Sequence, residues 1–210
     1  MVVQSAPQEE VIVASTCDGA SFLSRLFEVG VEKLKIFVFD GLFEEKALLE
    51  VYKQFKSLPY CLMDYDREDT QAIRHLVHAF DSQEIEATSV VKALISGTQE
   101  LANAQGLKVK QVAKVYANFN LYGDYQFAHQ DGDVWTALIF VNASWHEDWG
   151  GELLLYDGTP ASPTARGFSY AISPCPGRLV IFDGNIKHRG GVPSKYCLEP
   201  RITLAIKFMK

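Results

Sequence analysis

A chain of 210 residues, 48% of them hydrophobic and 12% aromatic, can bury one substantial core and leaves little room for a second full domain. Its formal net charge is −6 and no run of Lys or Arg is clustered, so it lacks the positive surface that a nucleic-acid backbone or an anionic lipid layer requires; a small-molecule or peptide substrate is expected, and no nucleic acid. The opening MVVQSAPQEE has no basic segment followed by an apolar stretch, and no apolar run reaches the roughly 18 to 20 residues that span a bilayer, which favours a cytoplasmic protein with no membrane association.

Residues 1–30 are polar and weakly periodic and read as an N-terminal extension, after which Leu34 to Phe39 reads as a short strand closed by Asp40 and Gly41. From Phe43 to Leu58, Phe43, Ala47, Leu48, Val51 and Phe55 fall on one helical face, and Pro59 marks the stop. Tyr60 to Ser82 fits either a loop or a short helix around Ala72 to Phe80. A second helix is expected over Gln83 to Ala104, on the stripe Ile85, Val90, Val91, Leu94, Ile95 and Leu101, weakened by Gly97 and closed between Asn103 and Gly106. Beyond Gly106 the character changes to short apolar runs between turn residues: Val109 to Phe119, Trp135 to Val141, Glu152 to Tyr156, Arg178 to Phe182 and Arg201 to Phe208. Helices first and antiparallel strands after make an α+β chain with a sandwich or barrel. Cys17, Cys61, Cys175 and Cys197 are far apart and form no CxxC pair, so reduced, unpaired thiols are expected.

The pattern richest in chemistry is His129-Gln130-Asp131, followed far downstream by His188 and then Arg201-Ile202-Thr203. Two imidazoles and one carboxylate leave three open positions on an octahedral ion, the arrangement of non-haem iron(II) oxygenases. On a strand, residues two apart share a face, so His129 and Asp131 are expected at the end of one strand and His188 at the end of another. His75 and His78 share a face if their segment is helical, with no companion at ligand spacing. Trp135, Trp145 and Trp149 read as packing groups.

With Tyr122-Gly123-Asp124-Tyr125-Gln126-Phe127-Ala128-His129-Gln130-Asp131, Thr136 to Asn142, Trp149-Gly150-Gly151-Glu152-Leu153, Pro176 to Phe182, His188 and Arg201-Ile202-Thr203 in that order, the chain resembles the prolyl 4-hydroxylase-like branch of the iron(II)- and 2-oxoglutarate-dependent dioxygenases. The resemblance implies a double-stranded β-helix, a distorted jelly roll with the N-terminal helices packed against one sheet, as a single oxygenase domain over 31–210 with its jelly-roll core at about 107–210. It implies iron(II) held by His129, Asp131 and His188, 2-oxoglutarate as co-substrate with Arg201 on its distal carboxylate and Thr203 beside it, dioxygen, and ascorbate as a candidate activator. A guanidinium suits that carboxylate because it binds through two parallel hydrogen bonds and stays charged when desolvated.

Where many relatives have a tyrosine that helps bind the co-substrate, this chain has Phe140, leaving Tyr116, Asn118, Asn120 and Tyr122 as candidates for the missing group. The interval from His188 to Arg201 is also longer than is common in the branch. The implied reaction hydroxylates an unactivated C–H bond of a small molecule, amino acid or prolyl/peptide substrate, releasing succinate and CO2. Retention of Asp131 keeps hydroxylation, desaturation and ring closure open. The rivals are a cupin-like metal enzyme that does not use 2-oxoglutarate and a non-catalytic jelly-roll binding or sensor module. Tyr60 to Ser82, Asp157 to Ser169 and Arg189 to Pro200 are the segments expected to choose the substrate.

Overall fold

A computed structural model describes residues 35–156 and 169–210 in full, and residues 12–17 and 20–26 by their backbone. The elements are β1 (Ile12–Cys17), β2 (Ala20–Leu26), β3 (Ile36–Phe39), α1 (Glu45–Lys56), β4 (Cys61–Asp64), β5 (His75–Ala79), α2 (Ser82–Ala87), α3 (Ser89–Ala104), β6 (Val112–Asn120), β7 (Val134–Phe140), β8 (Leu153–Tyr156), β9 (Ser169–Ile172), β10 (Leu179–Asp183), β11 (Lys187–Gly190) and β12 (Arg201–Met209).

Among the described residues the strands form a nine-stranded sheet ordered β1-β2-β3-β10-β7-β12-β6-β5-β4 and a three-stranded sheet ordered β11-β8-β9, with antiparallel pairing throughout. One face of the large sheet carries the main core. There Val115, Ala117, Ala137, Ile139, Ile202, Leu204, Ile206 and Phe208 meet Val51 and Phe55 of α1 and Val91, Ile95 and Ala102 of α3. The opposite face packs Leu138, Phe140, Val180, Phe182 and Ala205 on Leu153 and Leu155 of the small sheet. The result is a two-sheet jelly roll with helices on one side, as the α+β expectation required.

The helix over 83–104 is in fact two. Thr88 takes an extended conformation, φ −100° and ψ 93°, that ends α2 and opens α3. A β-branched residue is cheap to place there and poor in a helix. Asp81 caps α2 by accepting from the Glu84 N–H at 2.8 Å, and Gly97 is carried inside α3 without a break.

The undecided stretch 60–82 contains no α-helix before Ser82. It supplies β4, a 3-10 turn at Glu68–Thr70, and β5, which pairs with β6 through His78↔Ala117. The apolar periodicity there is too short to separate helix from strand, and the open edge of β6 decides it. As strand neighbours three apart, His75 and His78 point to opposite faces, His75 toward Asp66 and His78 toward Glu84. Part of the expected extension 1–30 thus continues the sheet as β1 and β2. Cys61, Cys175 and Cys197 are free thiols; the Cys17 side chain and residues 157–168, most of one expected substrate-choosing segment, lie outside the described residues. No described helix is long and apolar enough to cross a membrane.

Candidate functional site

A cavity of about 390 Å³ opens between the two sheets, lined among others by Tyr116, His129, Asp131, His188, Arg201 and Lys207. The groups that could hold a metal ion come from two segments that hold each other. His129 and His188 form an antiparallel bridge, each backbone N–H donating to the other's carbonyl at 2.9 Å. Asp131 is seated by its own N–H, which donates to the Gly184 carbonyl at 2.7 Å. Gly184 permits this approach, because a Cβ there would lie 2.8 Å from the Gly132 carbonyl. His129 and Asp131 therefore do not end a strand as expected; they lie in the connection before β7, and His188 lies within β11.

One ligand atom each from His129, Asp131 and His188 lies within 4.8 Å of the others, and the imidazole centroids are 4.5 Å apart. The ring tautomers follow from their neighbours. His129 Nδ1 faces the Phe127 carbonyl at 3.0 Å and His188 Nδ1 faces the Ile186 carbonyl at 2.8 Å; a carbonyl can only accept, so each Nδ1 bears the proton. Both Nε2 lone pairs are left for the cavity, 3.6 Å from Asp131 Oδ1 for His129 and 3.3 Å from Oδ2 for His188. Burial, then the neighbouring His188, push His129 below the usual histidine range, which favours a neutral imidazole. Burial would raise Asp131, but the neighbouring His188 and the charge of Lys207 outweigh it and hold the carboxyl well below its usual range. Two imidazole nitrogens and an ionised carboxylate converging on one point are the donor set a divalent iron ion needs.

The far end of the cavity is built on β12. Arg201 and Thr203 are 1% and 0% exposed and share the inward face. Arg201 Nε donates to the Gly151 carbonyl at 2.6 Å and NH1 to Asn120 Oδ1 at 3.3 Å, while NH2 is buried with no partner among the described residues. Gly151 is required here: at φ +82° its Cβ position lies 2.9 Å from Arg201 Cδ. Burial pulls the guanidinium down to about 10, opposed by Glu152, so it remains charged at neutral pH. The unpartnered NH2, with Asn120 Nδ2 also unpartnered, calls for an acceptor, and a carboxylate from the cavity fits that need. The long His188–Arg201 interval does not displace Arg201. Its end is pinned by Asn142, which donates to the Pro200 carbonyl and accepts from the Ile202 N–H, both at 2.8 Å, and by Glu199, which accepts from Tyr52 and Lys56 of α1.

Of the candidates for the missing tyrosine, Tyr116, Asn118 and Asn120 lie on β6 across from this end, and Asn118 Nδ2 stands 3.4 Å from Thr203 Oγ1. Tyr116 is raised well above the usual phenol range by burial, so it offers a neutral O–H. Tyr122 is 66% exposed and is not part of the cavity wall. Phe140 lies under the guanidinium, its ring centroid 5.1 Å from Arg201 Cζ.

Three groups were not singled out by sequence. Asp66 accepts from the Phe127 N–H at 2.5 Å, contacts His75 Nε2 at 3.0 Å and lies 3.3 Å from His129 Nδ1. Its neighbour Arg67 donates to the Ala128 carbonyl at 3.1 Å. Asp66 and Arg67 sit in the stretch whose structure was ambiguous, and nothing local marks them. Lys207 contacts Asp131, and a signal for it did exist: it has the same strand parity as Arg201 and Thr203.

Residues 115–208 match the family model of the 2OG-Fe(II) oxygenase superfamily. No curated protein matches the chain. Among solved structures, a Pseudomonas putida prolyl-4-hydroxylase superposes with a TM-score of 0.61 at 18% identity, over 83% of this chain and 92% of that one. A prolyl hydroxylase from Trichoplax adhaerens, in complex with a hypoxia inducible factor oxygen degradation domain peptide fragment, gives 0.60 at 15% identity over 83% of each chain. The epimerase SnoN, in complex with Fe3+, alpha ketoglutarate and nogalamycin RO, gives 0.58 at 13% identity over 83% of this chain and 78% of its own. Over residues 115–208 the chain is thus similar to the 2OG-Fe(II) oxygenase superfamily, and its jelly roll is the fold of the prolyl-4-hydroxylase structures it superposes on.

Proposed function

We propose that His129, Asp131 and His188 hold the iron(II) and that Arg201 and Thr203 bind the distal carboxylate of 2-oxoglutarate, within a single oxygenase domain whose large sheet includes β1 and β2. The observation that carries this is the pairing of a convergent N, N, O donor set at one end of the cavity with a buried, unpartnered guanidinium N–H at the other. When bound, iron with 2-oxoglutarate and dioxygen supplies the oxidising power to hydroxylate an unactivated C–H bond, with succinate and CO2 as co-products.

The protein's own part is placement and exclusion. The Phe127 and Ile186 carbonyls fix the imidazole tautomers, and Thr136 donates to Asp131 Oδ2 at 2.6 Å, leaving Oδ1 for the ion. Arg201, seated on Gly151 and Asn120, presents NH2 to the co-substrate. Tyr116 or Asn118 supplies the further hydrogen bond that Phe140 cannot. The substrate is a small molecule, amino acid or prolyl/peptide segment entering past 60–82 and 189–200; the first of these segments contacts the connection that carries His129 through Asp66 and Arg67. The relatives in structure span a peptide-bound hydroxylase and a natural-product epimerase, which supports a cavity adaptable to either class.

The test is iron titration followed by 2-oxoglutarate-dependent succinate release. The wild type should bind one iron and release succinate, and His129→Ala should do neither. Iron binding that survives His129→Ala removes the proposed centre.

A further inference from the structure

Lys207 stands at the metal end of the cavity with 8% of its side chain exposed. Its ammonium contacts Asp131 Oδ2 and lies 3.4 Å from Thr136 Oγ1. Asp131 does not need it for orientation, since the Thr136 hydroxyl holds the same oxygen and the Asp131 N–H is tied to Gly184. What Lys207 adds is charge. The nearby Lys114, opposite it on β6, is already paired with Asp64 at 2.7 Å, and the Tyr116 ring beside it, 5.8 Å from Nζ, is neutral. Among the described residues, Asp131 is therefore the anion in contact with Lys207.

A buried ammonium and carboxylate in contact cancel each other, and leaving either one unpaired in a desolvated site is costly. A divalent ion that takes Asp131 meets a like charge at short range, and that repulsion is strong where water is excluded. We propose that Lys207 is the counter-ion of Asp131 in the metal-free enzyme and competes with the metal for it, so that tight metal binding depends on the dianionic co-substrate arriving with the ion. This rests on the metal site proposed above. Before the ion binds, Asp131 and Lys207 sum to zero. Afterwards the pocket holds an excess of positive charge that 2-oxoglutarate offsets. With a neutral residue at 207, the empty pocket holds a bare carboxylate, the ion is drawn in more strongly, and less of its binding depends on the dianion.

The experiment titrates Mn(II) into the purified chain, with free Mn(II) read by electron paramagnetic resonance, in the absence and presence of 2-oxoglutarate, for wild type, Lys207→Met, Lys207→Gln and His129→Ala. Lys207→Met should bind Mn(II) alone at least about tenfold more tightly than wild type, melt several degrees lower when metal-free, and gain less affinity from added 2-oxoglutarate. Lys207→Gln, which keeps a donor for Asp131 without the charge, should move the same way and serves if the methionine variant does not fold. A folded neutral variant whose Mn(II) affinity is equal to or weaker than wild type overturns the proposal, as does an unchanged response to 2-oxoglutarate. A wild type that binds Mn(II) no better than His129→Ala refutes the metal site itself. Wild-type binding that is lost in His129→Ala, but is the same in the Lys207 variants, refutes only the role of Lys207.

Discussion

The two faces of β7 and β12 are both buried, yet together with those of β6 beside them they are made of different chemistry. Toward the helices the strands present Val115, Ala117, Ala137, Ile139, Ile202, Leu204, Ile206 and Phe208. Toward the small sheet they present Tyr116, Asn118, Thr136, Arg201, Thr203 and Lys207 along the cavity wall. On β12 the two sets alternate within a run of eight buried residues. Polar groups at alternate positions of a fully buried strand cost desolvation and bring nothing to the core. Their presence separates the face that makes the fold from the face that makes the site.

That division predicts opposite outcomes for neighbouring substitutions. Leu204→Ala, on the helix face at 0% exposure, should cost about 3 to 5 kcal/mol of folding stability through lost burial and a residual cavity, read by urea denaturation. Co-substrate affinity of the remaining folded protein should be unchanged. Arg201→Met, three residues away on the other face, should do the reverse. Its binding of 2-oxoglutarate should weaken by on the order of 2 to 5 kcal/mol, measured by calorimetry with Mn(II) present. Its stability should change by less than about 1 kcal/mol, because a buried charge with an unpartnered N–H is replaced by an apolar chain of similar length. A large stability loss in Arg201→Met would make Arg201 a structural residue and break the division.

Asp66 tests the division at a loop rather than a strand. The carboxylate lies beside His129 Nδ1 and holds the Phe127 N–H, so it supports the ligand from behind, as outer carboxylates commonly do for metal-bound histidines. Asp66→Asn keeps the shape and removes the charge. Metal affinity should fall about 10- to 100-fold, with the far end of the cavity unaffected: 2-oxoglutarate affinity at saturating metal should match wild type. Unchanged metal affinity would show that the Phe127 carbonyl alone orients His129.

Much of this was legible in the chain itself, for a physical reason. The β-rich half announces its strands because a period of two is enforced by burial on each face, and Arg201-Ile202-Thr203 can be read as site, core, site from parity alone. Lys207 follows by the same parity and was available. What was not legible came from pairings between distant segments. His129 and His188 are joined by a two-residue bridge rather than carried on strand ends, and no local pattern encodes that. Residues 60–82 became strands because β6 had an open edge, so Asp66 and His75 could not be located before their neighbours were. The helix break at Thr88 lies within the reach of a single extended residue, below what apolar periodicity resolves.

The helix layer should tolerate change wherever it faces away from both the core and the cavity, and Gly97 offers the smallest test. It lies in the interior of α3, and beyond the helix's own backbone a Cβ added there meets no atom of the described residues within 4 Å. The neighbouring turns are held to the sheet by Val91, Ile95 and Ala102, so the methyl would meet open space. Alanine restricts the unfolded chain more than glycine does and favours the helix, and Gly97→Ala should therefore stabilise the protein by about 0.5 to 1 kcal/mol. For a domain of this size that is a rise in melting temperature of roughly 1 to 4 °C, with succinate release unaltered because the substitution lies behind the sheet from the cavity. A loss of stability would mean that position 97 is covered by something the described residues do not include, and a change in turnover would mean that the helix face and the cavity face are not independent.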